Sequence, residues 1–325
     1  MSLSLSSGIN RDGRICLLGL AVIMIMAGCA TINFAPPIAS FQNSVTTASA
    51  AIGTAFNNLN QFERQLYLDD VALKPEKNVD IGDGSDQPTP LLGLTFQAPS
   101  IKARTDSLRL LGTYVQKLTN LVGNNAPQQF SDVVKTSAGG LTTLDKTFAE
   151  LSSTTYDPTA AKYITPVSEL IGSLVKMYYE HRRDEAIREA VNTGASAVQN
   201  ILGELENDLV NFVKPQQTAD LWADLRQLVD YYNHHRETDR MDLQERKNLL
   251  GDINKCALAY EASVEFNPSG LIDSMRQAHE ALIKYANAPR APGNMNALLA
   301  TLQAFEQNAQ QVSKQVEQIR QATKG

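Results

Sequence analysis

"LLATLQAFEQNAQQVSKQVEQI", residues 298–319, carries an apolar side chain at Leu298, Leu302, Phe305, Ala309, Val312, Val316 and Ile319. The steps alternate between four and three residues. That period places all seven side chains in one narrow stripe along an α-helix, and such a stripe must be buried against other helices. The same series recurs along the chain. It runs Phe41, Val45, Ala48, Ile52, Ala55, Leu59, Phe62, Leu66, and again Leu108, Leu111, Val115, Leu118, Val122 once Arg104 is allowed one place after Ile101. It returns at Phe130 to Leu151, at Val167 to Tyr178, at Val198, Leu202, Leu205, Leu209, Phe212, and at Leu249, Ile253, Cys256, Tyr260, Val264. Alternating β-branched runs are scarce, so strands are not expected.

The breaks between stripes place the helix ends. Pro36-Pro37, Ser100, Pro127 and Thr165-Pro166 mark starts, and "KPQQ" (214–217), "NPSG" (267–270) and "APRAPG" (288–293) mark reversals. This predicts an all-α fold, an elongated antiparallel helical bundle with coiled-coil-like heptad packing and about seven helices, at 40–72, 101–122, 128–152, 166–213, 217–264, 269–288 and 295–322. The fourth and fifth form a long hairpin over 166–264, with Gly194 a candidate kink. Helices two and three, and six and seven, either run end to end beside that hairpin or fold back on themselves.

Residues 15–26, "ICLLGLAVIMIM", form an uncharged run behind Arg11 and Arg14. The run is short for a membrane span and fits a secretory signal. It ends in Met26-Ala27-Gly28-Cys29, which resembles the lipobox of bacterial lipoprotein precursors, with Met where Leu is usual. The resemblance covers this segment alone. It implies a signal peptide over 1–28, lipid on the Cys29 thiol, a linker over 29–39 and a helical-bundle domain over 40–325. It also implies a cell-envelope location, and Ala30 in place of Asp implies the outer membrane if the cell is Gram-negative. Several acyl chains, each contributing ~0.8 kcal/mol per buried CH₂, hold a protein stably on a bilayer.

The chain carries a formal net charge of -6; loss of Arg11, Asp12 and Arg14, a net +1, takes the mature chain to -7. An acidic exported chain is not a nucleic-acid binder. Cys16 leaves with the signal and Cys29 carries lipid. Cys256 is then alone, expected as a buried helix residue, with an intermolecular disulfide as the alternative.

No catalytic constellation is legible. The four histidines lack Glu-x-x-His and zincin spacings, and there is no nucleophile elbow, phosphate loop or dinucleotide fingerprint. No metal and no cofactor are expected. The two charge-dense stretches, "EHRRDEAIRE" (180–189) and "RETDRMDLQERK" (236–247), face each other if the hairpin turns near residue 215, with Arg188 near Asp242 and Glu185 near Glu245 or Arg246. They are either a solvated stretch or a polar site, and Arg182, Glu185, Arg188, Asp239, Asp242 and Arg246 are candidate partner contacts. The irregular loop 74–99 contains "PLLGLTF"; its Leu91, Leu92, Leu94 and Phe96 either tuck onto the bundle or form a further candidate contact. The functional expectation is a lipid-anchored, non-catalytic interaction or scaffold lipoprotein, held at the membrane by its lipid and paired with an envelope protein or with itself. The alternatives are a membrane-inserting, pore-forming helical protein and an enzyme of unknown type.

Overall fold

The computed structural model describes residues 34–74, 77–79, 96, 98–122, 160–163, 165–166, 169–170, 183–236, 241–289, 291 and 293–322. Cys29 with its signal, the expected helix at 128–152, and Arg182, Asp239, Leu91, Leu92 and Leu94 lie outside the described residues. The chain divides after Phe34, and the described helices all belong to the compact unit Ala35–Gly325.

That unit is all-helical, with no strand among the described residues. The helices are α1 (Ala35–Leu73), α2 (Ala98–Val122), α3 (Arg183–Asp208), α4 (Lys214–Arg236), α5 (Leu243–Glu265), α6 (Pro268–Asn287) and α7 (Asn294–Ala322). A 3-10 turn occupies Ala160–Tyr163, and a π turn, Leu209–Val213, joins α3 to α4. All seven stripe residues of α7 are buried, as are Phe41, Val45, Ala48, Ile52, Ala55, Leu59 and Phe62 of α1. Burial of each large member stabilises the fold by roughly 1.5–3 kcal/mol. α1 is packed against α2, α4 and α7, and α7 against α1, α5 and α6.

Proline at 36 and 37 sits inside the first turn of α1 rather than before it; the missing N–H is harmless there because first-turn amides have no intrahelical acceptor. Ser100 lies inside α2 and is not its cap. Its hydroxyl is turned instead to Arg104.

The main departure from the expected helices is at "KPQQ". It is not a turn. α3, the π turn and α4 are one uninterrupted rod from Arg183 to Arg236, ~80 Å long at 1.5 Å per residue. Proline in a helix interior removes one N–H and presses its ring on the carbonyl four residues back. The π turn meets this strain by opening the helix, with the Lys214 N–H bonded to Leu209 O five residues earlier. The reversal comes later, between Arg236 and Leu243. α5 starts on a capping box, in which the Asp242 carboxylate accepts from Glu245 N–H and the Glu245 carboxylate accepts from Asp242 N–H, both at 2.8 Å.

A long helical hairpin is therefore present, described over 183–287, with its reversal between Arg236 and Leu243 rather than near 215. Its second rod is α5 followed by α6, broken at Phe266-Asn267-Pro268. Paired residue numbers across the antiparallel hairpin sum to about 480, as in Asn192–Asn287, Gln199–Glu280, Trp222–Tyr260 and Cys256–Asp224. The Lys214 ammonium closes the break, donating to Phe266 O at 2.6 Å. α7 then folds back on this rod, with Asn308 donating to Gly270 O and Gln315 to Glu265 O. Of the two arrangements open to helices six and seven, the fold-back is the one adopted.

Gly194 lies inside the unbroken helix α3. It makes room for Tyr114 of α2. A Cβ there would lie 2.9 Å from Tyr114 Cε2 and 3.4 Å from Leu170 Cδ1. Tyr114 is fixed from its other side by His279, 3.1 Å from its hydroxyl, so the ring has nowhere to go. Gly194→Ala is expected to destabilise by ~1–3 kcal/mol, the cost of overpacking a filled core, measurable as a lowered urea midpoint at unchanged slope.

Candidate functional site

Among the described residues, the far end of the hairpin is formed by α4 and α5 alone. None of the described residues between 222 and 255 is buried, whereas the rods behind them are buried in steps of three and four. Leu243 is 62% exposed and Leu250 46%, both within two turns of the reversal. Tyr231 and His235 stack at 4.0 Å between centroids, His234 and His235 meet at 5.1 Å, and His235 Nδ1 is bonded to Tyr231 O at 2.9 Å. Of the contacts expected here, Asp242 is exposed and also caps α5, and Arg246 is half-buried.

The two charged stretches do not face each other. With pairs summing to about 480 along the hairpin, Arg188 and Glu185 lie level with the α6–α7 connection, and Asp242 and Arg246 lie at the opposite end of the rods. Arg188 near Asp242 and Glu185 near Glu245 are thus both overturned. The cause is the missing turn at 215, which moves the reversal about 25 residues along the chain. Glu185 and Arg188 are exposed on α3. Phe96 is interior, 5% exposed, edge-on to Phe56 at 5.9 Å. Its backbone is held by the Asn60 side chain. It belongs to the core and does not offer a surface contact.

A second polar locus is entirely buried. Arg104 of α2 and Asp208, the last residue of α3, are joined by Arg104 Nε to Asp208 Oδ2 at 2.6 Å. Arg104 Nη1 donates to Ser100 O at 3.2 Å and to the Ser100 hydroxyl. Its guanidinium lies 4.4 Å over the Phe96 ring. The Tyr163 hydroxyl donates to Asp208 Oδ2 at 3.0 Å; burial first, then the Asp208 charge, pushes the Tyr163 hydroxyl well above its ordinary pKa, so it stays a donor. Asp208 Oδ1 has no hydrogen-bond partner among the described residues. The locus adjoins the π turn, where the ladder of α3 is already open. Its chemistry is that of a closed ion pair.

Cys256 is buried on α5, as expected, with its S–H 3.5 Å from Leu221 O and 3.4 Å from Asp224 Oδ2. Burial and Asp224 raise its pKa, which makes it a poor nucleophile. Among the described residues no group of three or more His, Cys, Asp or Glu is placed to hold a metal ion, and no helix is long and apolar enough to cross a membrane.

The described residues define an all-α bundle whose α4–α5 hairpin end, the arm, has no buried side chain. No family model matches the chain, and no curated protein or solved structure matches it.

Proposed function

We propose that this chain is a lipid-anchored interaction protein of the bacterial envelope. Its Cys29 lipid holds the N-terminus at a membrane, and the end of the α4–α5 hairpin meets an envelope protein. The observation that carries this reading is the arm itself, whose described residues from 222 to 255 bury no side chain and expose Leu243 and Leu250. Two helices alone leave most of their apolar seam in water, which is costly unless a partner covers it.

Chain direction adds to this. α1 runs parallel to α3–α4, and Phe41 stacks on His279. The start of α1 is therefore about 60 Å along the rods from the hairpin end, at 1.5 Å per residue. The segment that would carry the lipid joins the rods through the start of α1, at the end away from the arm.

Photo-crosslinking in cells, with the reactive group at Leu243, Leu250 and Lys284, tests the reading. The expected result is one recurrent envelope protein at the first two positions and none at Lys284 near the α6–α7 connection. Capture at Lys284 alone, or self-crosslinks alone, rejects the arm as the docking surface. Leu243→Ser with Leu250→Ser is expected to abolish the crosslinks while moving stability by no more than about 0.5 kcal/mol, the usual range for exposed positions. Labelled palmitate is expected in the wild-type chain and absent from Cys29→Ser.

A further inference from the structure

α5 is packed on α4 and α7, and its buried residues Cys256, Ala259, Ala262 and Ser263 turn toward them. Leu243, Leu250, Ala257 and Val264 turn the other way. They stand seven apart, so each is only ~20° round the helix from the last, and the four form one straight stripe opposite Ala259. The stripe is ~32 Å long, three heptads at 1.5 Å per residue. Leu243 is 62% exposed, Leu250 46% and Val264 49%, and Ala257 is half-buried. α4 supplies a facing wall with the same step. Trp222 is 48% exposed, and Val229, seven residues on, is half-buried. Tyr260 lies between the walls, its ring 5.3 Å from that of Trp222.

Single exposed apolar residues are ordinary, but a straight row of them that includes the chain's sole tryptophan is a docking surface. Its period selects the shape of what docks. Two walls that repeat every seven residues match the repeat of a further helix, whereas a strand, repeating every two, would meet them out of step. The polar rims select the charge. Toward the reversal the stripe is flanked by Arg246 and Lys247, and toward α6 by Glu261 and Glu265. Lys247, Glu261 and Glu265 are exposed. Asp242 and Glu245 are taken up by the capping box, and Asp252 is paired with Lys255 at 3.0 Å. On the α4 rim, Arg226 and Asp230 are one turn apart and opposite in sign, so they cancel. The groove is positive at its tip and negative at its base, with ~21 Å along the helix between Lys247 and Glu261.

We propose, on the reading that the arm is the docking surface, that this groove takes one amphipathic helix of the envelope partner. That helix is about three heptads long. Its apolar stripe lies on Leu250, Ala257 and Trp222, its acidic end meets Arg246 and Lys247, and its basic end meets Glu261.

Photo-crosslinking in cells at each position from Leu243 to Val264, with the attachment sites on the partner mapped by mass spectrometry, tests this. The yield is expected to peak at 243, 250, 257 and 264 and to be low at Asn248 and Lys255, which are exposed on the opposite side of α5. The attachment sites are expected in one partner segment, in order and about seven residues apart. Lys247→Glu with Glu261→Lys keeps the net charge, changes exposed positions only, and is expected to leave Tm unmoved while cutting the yield at Leu250 about tenfold, because like charges then meet at both ends. A synthetic peptide of the captured segment is expected to shift the emission of Trp222 to shorter wavelength as the ring leaves water. Capture at Leu243 alone, attachment sites scattered over the partner, or an unmoved emission at saturating peptide overturns the helix and leaves the arm as the docking surface. Self-crosslinks alone, or no capture at any of these positions, overturn both.

Discussion

Asp208→Ala is expected to destabilise the fold by ~3–5 kcal/mol, because it removes the carboxylate that the Arg104 Nε binds inside the core. Arg104 is 0% exposed, so water cannot replace the lost carboxylate. The Ser100 contacts and the Phe96 ring remain, but they supply a dipole and a quadrupole where a full negative charge stood. Tyr163 loses its acceptor at the same time. In a chain of this size the loss corresponds to a fall in Tm on the order of 10 °C. Removal of both charges is a different experiment. Arg104→Met with Asp208→Leu removes both charges and is expected to recover part of the loss, because a buried pair recoups little more than its own desolvation, while the Tyr163 hydroxyl still lacks its acceptor. Denaturation of the four chains closes a double-mutant cycle. A cost below about 1 kcal/mol for Asp208→Ala would mean that water reaches the pair.

That ion pair is faintly legible in the sequence. The apolar stripe of α2 runs Ile101, Arg104, Leu108, Leu111, and a lone arginine in a stripe position signals either a tolerated exception or a buried charge. The partner is not legible, since Asp208 is 104 residues away and reaches α2 only through the tertiary fold. The stripes themselves transfer almost residue for residue to the core of α1 and α7. They fail along α5, where Val264 is 49% exposed and Cys256 alone of its stripe is buried, and they fail after Leu209 for a local reason. The series Leu202, Leu205, Leu209, Phe212 predicts Phe212 inside, yet Phe212 is 43% exposed and Val213 is fully buried. The π turn inserts one residue into the helix and advances the stripe by one position. The same turn lets the rod pass Pro215, whose surroundings have the pattern of a reversal. The real reversal carries a signature of its own. Asp242-x-x-Glu245 is a capping box, hidden within a charged stretch that also satisfies the pattern of a solvated helix face. A helical hairpin of great length is thus readable from periodicity, while its turn depends on how one proline is accommodated. The charged stretches share a site only if the chain reverses at 215, so they separate when the turn moves.

His279 makes the fold acid-sensitive over a defined range. The ring is fully buried, stacked on Phe41 at 6.0 Å and edge-on to Tyr114 at 5.7 Å. Its Nε2 is bonded to the Tyr114 hydroxyl at 3.1 Å, and its Nδ1 has no hydrogen-bond partner among the described residues. A cation there would have no counter-charge from these aromatic neighbours, so burial lowers its pKa from 6.5 to about 4. The unfolded chain then binds a proton at a pH where the folded chain refuses it. The stabilisation is complete above about 6.5 and is lost as pH falls toward 4, by ~3 kcal/mol over that range. Asp220 and Asp224 act in the opposite sense. Their raised pKa makes the folded chain the better proton binder below about 6, by ~1 kcal/mol in all once their partial access to solvent is allowed for. The wild-type curve is the difference of the two. His279→Phe keeps an aromatic ring among aromatic neighbours and deletes the histidine contribution. The urea midpoint of the wild-type chain is expected to fall between pH 6.5 and 5, and that of His279→Phe to hold level or rise across the same interval. Parallel curves for the two chains would show that His279 is protonated within the fold, and that the Tyr114 hydroxyl accepts from it rather than donates.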